Sequence, residues 1–316
     1  MPRAVVNRFS RSHQQSARTP TNEPKERANN PIFNTERFGQ HILKNPQISQ
    51  DIVDKADLKP TDKVLEIGPG TGNLTIPILK VAKDVTAIEM DTRMAAELLK
   101  RVQGTPEQKR LHVIIGDFVK AELPYFDVCI SNTPYQISST VVFRLLSQRP
   151  LFRVAILMFQ QEFARRLVAQ PGSPLWSRLS ANVQLYAKVD HIRDVGKNNF
   201  RPPPKVESSV IRLVPLNPPP PVKFEEFDGL TRILFSRPNK TVRAGFGAKG
   251  VMQMLEKNWR VLCSINETPV EECNFNERIY TILENSGYSE QRASKMSVDD
   301  FLKLLSSFHE NGIHFA

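Results

Sequence analysis

The segment "CISNTPYQISS" (129–139) places hydrogen-bond acceptors and an aromatic ring at the end of an apolar run. An Asn close to a Pro usually marks a turn and no more. However, the amide oxygen of Asn132 and the carbonyl of Pro134 can also accept hydrogen bonds from an amino group, and Tyr135 offers a flat face for stacking. The segment alone therefore permits two interpretations, a turn or a site for an amine.

Three closely spaced glycines form a second candidate element, in "VLEIGPGTGNLT" (64–75). Gly68, Gly70 and Gly72 follow an apolar run and precede a helical pattern. Without a Cβ, the backbone there can turn tightly and approach a ligand closely. Such a loop after the first strand of a parallel sheet indicates a nucleotide-type site, although a purely structural turn is the alternative.

Acidic residues end the next two apolar runs. Glu89 stands 21 positions after Gly68 and can accept hydrogen bonds from both hydroxyls of a ribose, while Asp117 can accept one from an adenine amino group. Either acid alone could be a solvated residue at a strand end. The order Gly68-Pro69-Gly70-Thr71-Gly72 departs from the G-x-G-x-x-G spacing of dinucleotide enzymes, which disfavours a nicotinamide cofactor.

These residues require a scaffold in which strands alternate with helices. Short apolar runs lie at 63–67, 85–90, 112–117, 126–131 and 154–159, with helical patterns at 92–102 and 141–148 between them. This alternation predicts an α/β fold, a parallel sheet with helices on both faces. The runs at 186–192 and 206–214 have no helix between them and are predicted to close the sheet edge as antiparallel strands.

The four consecutive prolines in "NPPPP" (217–221) predict a stiff spacer between domains. Beyond it the patterns are helical, at 224–235, 251–262 and 297–309. We therefore predict four parts: a disordered basic tail (1–32), a ligand-binding domain (33–216), a linker (217–222) and a small helical domain (223–316).

Composition and charge narrow the functional classes. The net charge of +10 and the pI of about 9.6 favour a polyanionic partner. No apolar segment approaches the ~18 residues that span a bilayer, so we expect no integral membrane protein.

The sequence has three cysteines, Cys129, Cys263 and Cys273. They form neither a disulfide framework nor a metal motif, which fits a reducing compartment. Cys129 should be a small buried hydrophobe.

Residues 1–30 carry six basic and two acidic side chains and no hydrophobic periodicity. Disorder, a basic arm for RNA or import, and a mitochondrial transit peptide all produce this pattern. The tail alone does not distinguish them.

The glycine loop with an acid after the second strand resembles the S-adenosylmethionine-dependent methyltransferases. Asn132-Thr133-Pro134-Tyr135 is similar to the (Asp/Asn)-(Pro/Leu)-Pro-(Tyr/Phe) motif of those that methylate exocyclic amines. Five motifs then occur in one order: "FNTERFGQHILKNP" (33–46), "EIGPGTGNLT" (66–75), "GDF" (116–118), "NTPYQIS" (132–138) and "NFRPPPKVESSVIRL" (199–213). Together they resemble the ribosomal RNA adenine N6,N6-dimethyltransferases, in particular the eukaryotic small-subunit members.

The resemblance implies a Rossmann-like class I methyltransferase sheet with a small C-terminal helical domain, and S-adenosylmethionine without a metal. It assigns the cofactor contacts to Gln40, His41, Leu43, Gly68, Gly70, Glu89, Asp117 and Asn132. Catalysis is assigned to Asn132, Pro134 and Tyr135, and stacking on the target base to Tyr135 and Phe200. Thr133 stands where many relatives have Leu, and the sequence gives it no role.

The implied substrate is the 3′-terminal hairpin of small-subunit (18S) ribosomal RNA, with two adjacent adenosines dimethylated at N6. Arg237, Lys240, Arg243 and Lys249 are candidates for phosphate contacts, with a solvated helix face as the alternative. We expect a monomer in the nucleus or nucleolus, with the cytoplasm as a further location, acting on pre-ribosomal particles beside assembly factors. A ribosome-assembly scaffold and a mitochondrial paralogue are the competing hypotheses.

Overall fold

The computed structural model describes residues 41–267, 269 and 274–316. The predictions for the basic tail, Gln40 and Cys273 lie outside the described residues. Within this part of the chain, no helix is long and apolar enough to cross a membrane.

The strands in chain order are β1 (Ile42–Leu43), β2 (Lys63–Ile67), β3 (Asp84–Glu89), β4 (Leu111–Ile115), β5 (Val128–Asn132), β6 (Val154–Gln160), β7 (Ala187–Val195), β8 (Phe200–Arg201) and β9 (Ser208–Pro215). The α-helices are α1 (Pro46–Asp54), α2 (Thr75–Leu79), α3 (Thr92–Val102), α4 (Ser138–Ser147), α5 (Gln161–Leu167), α6 (Arg178–Tyr186), α7 (Phe224–Phe235), α8 (Val242–Phe246), α9 (Val251–Ile265), α10 (Phe275–Asn285) and α11 (Val298–Glu310).

Seven strands form one mixed sheet in the order β4-β3-β2-β5-β6-β9-β7. The first five are parallel, and β9 and β7 are antiparallel to their neighbours. The predicted α/β fold and the antiparallel closing pair are confirmed. The ends of the five predicted parallel strands differ from the structure by at most two residues. β1 and β8 form a separate two-stranded antiparallel sheet.

The central strands are buried on both faces. Alternate residues of β5 and β6 belong to two different hydrophobic clusters, so that Val154 and Ile156 pack on one face and Ala155 and Leu157 on the other. Cys129 lies in the second cluster with 0% exposure, which confirms its interpretation as a buried hydrophobe. Layers of helices therefore cover both faces, and the ligand site must lie at an edge.

The parallel register brings the polar strand ends together. Ile67 at the end of β2 is paired with Ile88, and Glu89 at the end of β3 is paired with Ile115. Asn132 ends β5 in the same direction. The glycine loop and the segments that begin at Met90, Gly116 and Thr133 consequently leave the sheet at one edge.

The helices from α7 to α11 pack around a third hydrophobic cluster. Phe227 of α7 and Phe301 of α11 are both fully buried in it, and α6 contributes Ala181 and Leu185. The sequence patterns indicated α7, α9 and α11 but neither α8 nor α10. The chain end also belongs to this core, since Phe315 is 2% exposed.

Candidate active site

The strand ends enclose a cavity of about 1070 Å³, a volume that includes its open mouth. The glycine loop, the segment after β3, the segment after β4 and the segment after β5 form its walls, and residues of β1 lie across it. The cavity is lined by these predicted site residues: His41, Leu43, Gly68, Gly70, Glu89, Asp117, Asn132, Pro134 and Tyr135. The fold thus brings together residues that are up to 94 positions apart in the chain.

The glycine loop owes its shape to backbone angles that other residues rarely adopt. Gly68 has a φ of +64° and Gly70 a φ of +56°, both in the left-handed region. The Gly68 amide donates a 2.9 Å hydrogen bond to the Ile88 carbonyl and so ties the loop to β3. A Cβ on Gly68 would come within 3.4 Å of Pro134, which means that the glycine also permits close contact with the Asn-Thr-Pro-Tyr segment.

Glu89 is 7% exposed and held by backbone amides. Its Oε2 accepts a 3.0 Å hydrogen bond from Gly70, and its Oε1 accepts a 2.9 Å bond from Asp91. Burial raises the pKa of this carboxyl, and the amide hydrogen bonds oppose the rise. Each oxygen keeps a second lone pair, so the carboxylate can still accept the two hydroxyls of a ribose.

Glu66 is a cavity residue that the sequence analysis did not assign to the site. It is 1% exposed, and burial raises its pKa to about 8, against a lowering influence of the Thr75 hydroxyl. Among the described residues, its Oε2 has no hydrogen-bond partner of standard geometry. A buried oxygen without a partner is costly. The signal was present in the first position of "EIGPG", which directly precedes the glycine loop.

Asp117 lies on a loop that is contacted by a side chain of α4. Its Oδ1 accepts a 2.9 Å hydrogen bond from the Val119 amide, which leaves Oδ2 for another donor. Arg144 of α4 donates to the carbonyls of Val119 and Ala121 and lies 5.3 Å over the ring of Phe118. The helix that follows the Asn-Thr-Pro-Tyr segment therefore holds the loop that carries Asp117.

The segment with His41 and Leu43 crosses the cavity because β1 is paired with β8. The Leu43 carbonyl accepts a 2.6 Å hydrogen bond from Asn73, and His41 Nδ1 lies 3.0 Å from the Pro202 carbonyl oxygen. Leu43 is 2% exposed. The glycine loop, through Asn73, and the proline-rich segment, through Pro202, thus fix β1 at both ends.

The two side chains of the predicted amine site have defined partners. Asn132 Nδ2 donates a 2.8 Å hydrogen bond to the His41 carbonyl, and Oδ1 has no partner within the described part of the chain. The Tyr135 ring stacks on His41 with 5.9 Å between centroids and 25° between planes. The Tyr135 hydroxyl oxygen lies 2.6 Å from Ser208 Oγ, and burial raises the pKa of this phenol.

Thr133, for which the sequence gave no role, is a link between two strand ends. It is 1% exposed, and its hydroxyl donates a 3.2 Å hydrogen bond to Ser131 Oγ. Ser131 donates in turn to the Ile67 carbonyl at 2.6 Å. This chain of hydroxyls connects the end of β5 to the residue that precedes the glycine loop.

Phe200 lies away from the cavity in this structure. Its ring is 1% exposed and belongs to a hydrophobic cluster under the sheet, and its backbone is paired with Leu43. The ring does not line the cavity. Its role in stacking stays a prediction.

The four candidate phosphate contacts lie in the helical part of the chain. Arg237, Lys240 and Lys249 are exposed. Arg243 is half-buried, forms a 2.6 Å salt bridge with Glu284 and lies 4.3 Å over the ring of Tyr280. Three of the four are therefore free to approach an RNA backbone, while Arg243 is engaged by its own protein. Their RNA contacts stay a prediction.

The residues of the cavity fit S-adenosylmethionine, which carries a ribose, an adenine and cationic groups. Glu89 and Asp117 have lone pairs for the hydroxyls and the adenine amine. The unpartnered oxygen of Glu66 would be satisfied by a cationic group. The left-handed glycines let the loop approach such a ligand.

Comparison with known proteins gives a consistent result. A sequence model described as "Ribosomal RNA adenine dimethylase" matches residues 33–284. The dimethyladenosine transferase of Schizosaccharomyces pombe is 61% identical over 280 residues, which cover 88% of this chain and 91% of that protein. For the dimethyladenosine transferase of Saccharomyces cerevisiae the identity is 57% over 290 residues, with 90% and 91% covered.

A solved structure supports the same assignment. The crystal structure of a dimethyladenosine transferase from Plasmodium falciparum superposes with a TM-score of 0.83 at 44% sequence identity. The match covers 87% of this chain and 100% of that one. The sheet, the glycine loop and the predicted amine site described above therefore lie in an adenine-methylating enzyme: the chain is a member of the ribosomal RNA adenine dimethylase family.

Proposed function

We propose that this enzyme dimethylates N6 of two adjacent adenosines in the 3′-terminal hairpin of small-subunit (18S) ribosomal RNA during small-subunit biogenesis. The observation that carries the proposal is the acceptor pair of Asn132 and Pro134 beside Tyr135, at the mouth of the cavity built on the glycine loop. The choice of the small-subunit hairpin is supported by the resemblance of five ordered motifs to the eukaryotic small-subunit members.

The family implies S-adenosylmethionine as the cofactor, which supplies the methyl group when it is bound. Glu66, Glu89 and Asp117 would hold it from the ends of β2, β3 and β4, and the loop at Gly68 and Gly70 would lie against it. Leu43 of β1 and the preceding His41 line the same cavity.

The task of the amine site follows from the poor reactivity of the adenine amino group, whose lone pair is delocalised into the ring. Asn132 Oδ1 can accept one of its hydrogens. The Pro134 carbonyl already accepts a 3.2 Å hydrogen bond from the Ile137 amide, and a second lone pair stays available for the other hydrogen. Two acceptors in fixed positions orient the nitrogen and favour the geometry in which its lone pair is free.

Stacking on Tyr135 would hold the base in the plane that these acceptors require, a contact worth about 1–3 kcal/mol. A base must leave its own stack to enter such a pocket, and RNA loops present bases that are already unstacked. The nitrogen is cationic as soon as it gains the methyl group and then loses a proton readily to water, so the protein needs no strong base. Positioning then accounts for most of the catalysis.

The surroundings of the reaction follow from charge and substrate. The net charge of +10 suits a ribosomal RNA partner, and the exposure of Arg237, Lys240 and Lys249 supports our proposal that they contact phosphates. With pre-ribosomal RNA as the substrate, we propose that the enzyme acts as a monomer in the nucleus or nucleolus, next to assembly factors.

The test is incubation of the full chain with labelled S-adenosylmethionine and either small-subunit RNA or pre-ribosomal particles, followed by nucleoside analysis. We expect N6,N6-dimethyladenosine at the two hairpin positions with wild-type protein and formation slower by about 100-fold or more with Asn132→Ala. RNA binding without any dimethyladenosine would contradict the proposal. Methylation of large-subunit RNA in preference to small-subunit RNA would leave the family chemistry intact but refute the proposed target.

A further inference from the structure

Ser208 touches the amine site from a distant part of the chain. Its Oγ lies 2.6 Å from the hydroxyl oxygen of Tyr135, although the two residues are 73 positions apart. This separation is near the short end of the usual O–H···O range of about 2.5–3.0 Å. Ser208 is 0% exposed, and Tyr135 is its side-chain partner in the described part of the chain.

The backbone of Ser208 cannot move independently of the sheet. It is the first residue of β9 and is paired with Gln160 on one side and Val195 on the other. The preceding carbonyl, that of Glu207, accepts a 3.0 Å hydrogen bond from the Gln161 amide. The Ser208 hydroxyl is therefore carried by a strand that is paired on both sides.

Tyr135 lacks such an anchor of its own. It lies in a single short turn, Tyr135–Ile137, outside the sheet, and its ring is only partly buried. One face contacts His41 at 5.9 Å between ring centroids. A tyrosine ring turns about two side-chain torsions, and a hydrogen bond at its hydroxyl end restricts both.

We propose that Ser208 is a positioning residue for the methyl transfer: its hydroxyl holds the Tyr135 ring in the plane on which the target adenine stacks. The inference rests on the proposed role of Tyr135 as the base platform. When the ring is already fixed, no conformational entropy of the Tyr135 side chain is lost as the base binds. This favours the reactive geometry. Ser208 does not line the cofactor cavity and acts only through Tyr135, so we expect its effect to fall on the RNA base and not on cofactor binding.

The experiment is a double-mutant cycle of Ser208→Ala and Tyr135→Phe, which remove the same hydrogen bond from opposite sides. We measure single-turnover methylation at saturating cofactor and RNA. Each single variant should lose about fivefold to tenfold in rate, the kinetic equivalent of one hydrogen bond. The double variant should be no slower than either single variant, and a separate titration of S-adenosylmethionine should give an unchanged KM.

Ser209→Ala is the matched control. Ser209 is the next residue of β9 and is also 0% exposed, but its hydroxyl donates to Asp194 and not to Tyr135. It should keep the wild-type rate. If Ser208→Ala lowers the Tm more than Ser209→Ala does, Tyr135→Phe alone still removes the bond without changing the strand.

A rate for Ser208→Ala or Tyr135→Phe within twofold of the wild type would overturn the inference, and so would losses that add in the double variant. Tyr135→Ala separates this inference from the proposed role of Tyr135. If Tyr135→Ala keeps the wild-type rate, Tyr135 is not the base platform and the inference falls with that role, although the methylation itself stands. Absence of methylation by the wild type would instead contradict the proposed function. If Tyr135→Ala is slow while Ser208→Ala is normal, the platform stands and only the role of Ser208 fails.

Discussion

The side-chain amide of Asn132 donates its N–H to the main-chain carbonyl of His41 at 2.8 Å. One hydrogen bond thus joins the residue proposed to hold the substrate amine to the residue that directly precedes β1 and lines the same cavity. The bond also fixes which end of the amide is the donor, so that Oδ1 is the end left to accept. A correctly oriented acceptor is what the weakly nucleophilic adenine amine requires.

Asn132→Ala removes both the acceptor and the link to His41. We expect single-turnover methylation to fall by about 100-fold or more, as when one stabilising hydrogen bond is lost at a transition state. Asn132→Asp is the informative partner, because it keeps an acceptor but places a carboxylate oxygen against the His41 carbonyl. It should retain more activity than Asn132→Ala; equal activity of Asn132→Ala and the wild type would exclude the amine role.

The same Asn132→Ala variant separates catalysis from scaffolding. In cells whose only copy of the enzyme is this variant, dimethyladenosine should disappear from the small-subunit RNA. If small subunits still mature, binding by the protein is the essential task and methylation is separable. If maturation stops although the variant is folded and bound to pre-ribosomal particles, methylation itself is required.

Glu66 should couple cofactor binding to the release of a proton. Burial raises its pKa to about 8, so the carboxyl is largely protonated at pH 7 when the cavity holds no cation. A cationic ligand group beside it favours the charged form and expels the proton. Calorimetry of S-adenosylmethionine binding in buffers of different ionisation enthalpy should show proton release at pH 7. Glu66→Gln should abolish that release and weaken binding.

The raised pKa of Glu66 also makes the stability of the folded state depend on pH. Between the ordinary carboxyl pKa of about 4.5 and the folded value of about 8, the folded state holds a proton that the unfolded chain has lost. This group therefore destabilises the protein as the pH rises through that window. The Tm of ligand-free Glu66→Gln should fall less from pH 5 to pH 8 than the Tm of the wild type. Parallel pH profiles would show that burial does not raise this pKa.

The sequence predicted those parts of the site that depend on local patterns. The glycine loop, Glu89, Asp117 and Asn132 follow successive apolar runs, and parallel strands bring such ends to one edge. It did not reveal contacts made across the fold, such as Asn73 to Leu43 or Tyr135 to Ser208. These contacts depend on the pairing of segments that are distant in the chain, and residue spacing does not predict that pairing. For the same reason Phe200, beside a proline run, could not be recognised as a core residue.

Glu226 should make stability depend on pH in the acid range. Burial alone would raise the pKa of this carboxyl. It accepts hydrogen bonds from His309 at 3.0 Å and from the Phe315 amide at 2.8 Å, and His314 lies 3.4 Å away. These contacts outweigh burial and lower the pKa to about 2. The stabilisation is therefore complete above the unfolded value of about 4.5 and is lost as the pH falls towards 2.

Glu226→Gln should accordingly remove part of the fall in Tm between pH 5 and pH 3. Glu225→Gln is the matched control, because the neighbouring carboxylate at the start of α7 is exposed. Its profile should follow the wild type. A wild-type profile for Glu226→Gln as well would show that this carboxylate does not hold the chain end.

Gly229 of α7 should tolerate no side chain because the chain end packs directly against it. A Cβ at this position would lie 2.7 Å from both the Cβ and the carbonyl oxygen of Phe315, which is itself 2% exposed. Gly229→Ala must displace Phe315 from the helical core, and we expect a loss of about 1–3 kcal/mol in the free energy of unfolding.

Gly245→Ala in α8 is the control, since its nearest neighbour would be Leu234 at an ordinary 3.7 Å. It should be neutral or stabilising by up to about 1 kcal/mol, because alanine restricts the unfolded chain. Denaturant unfolding of the two variants measures both effects. A Gly229→Ala protein as stable as the wild type would mean that Phe315 leaves its pocket at little cost, and the last residues would then add little to the helical core.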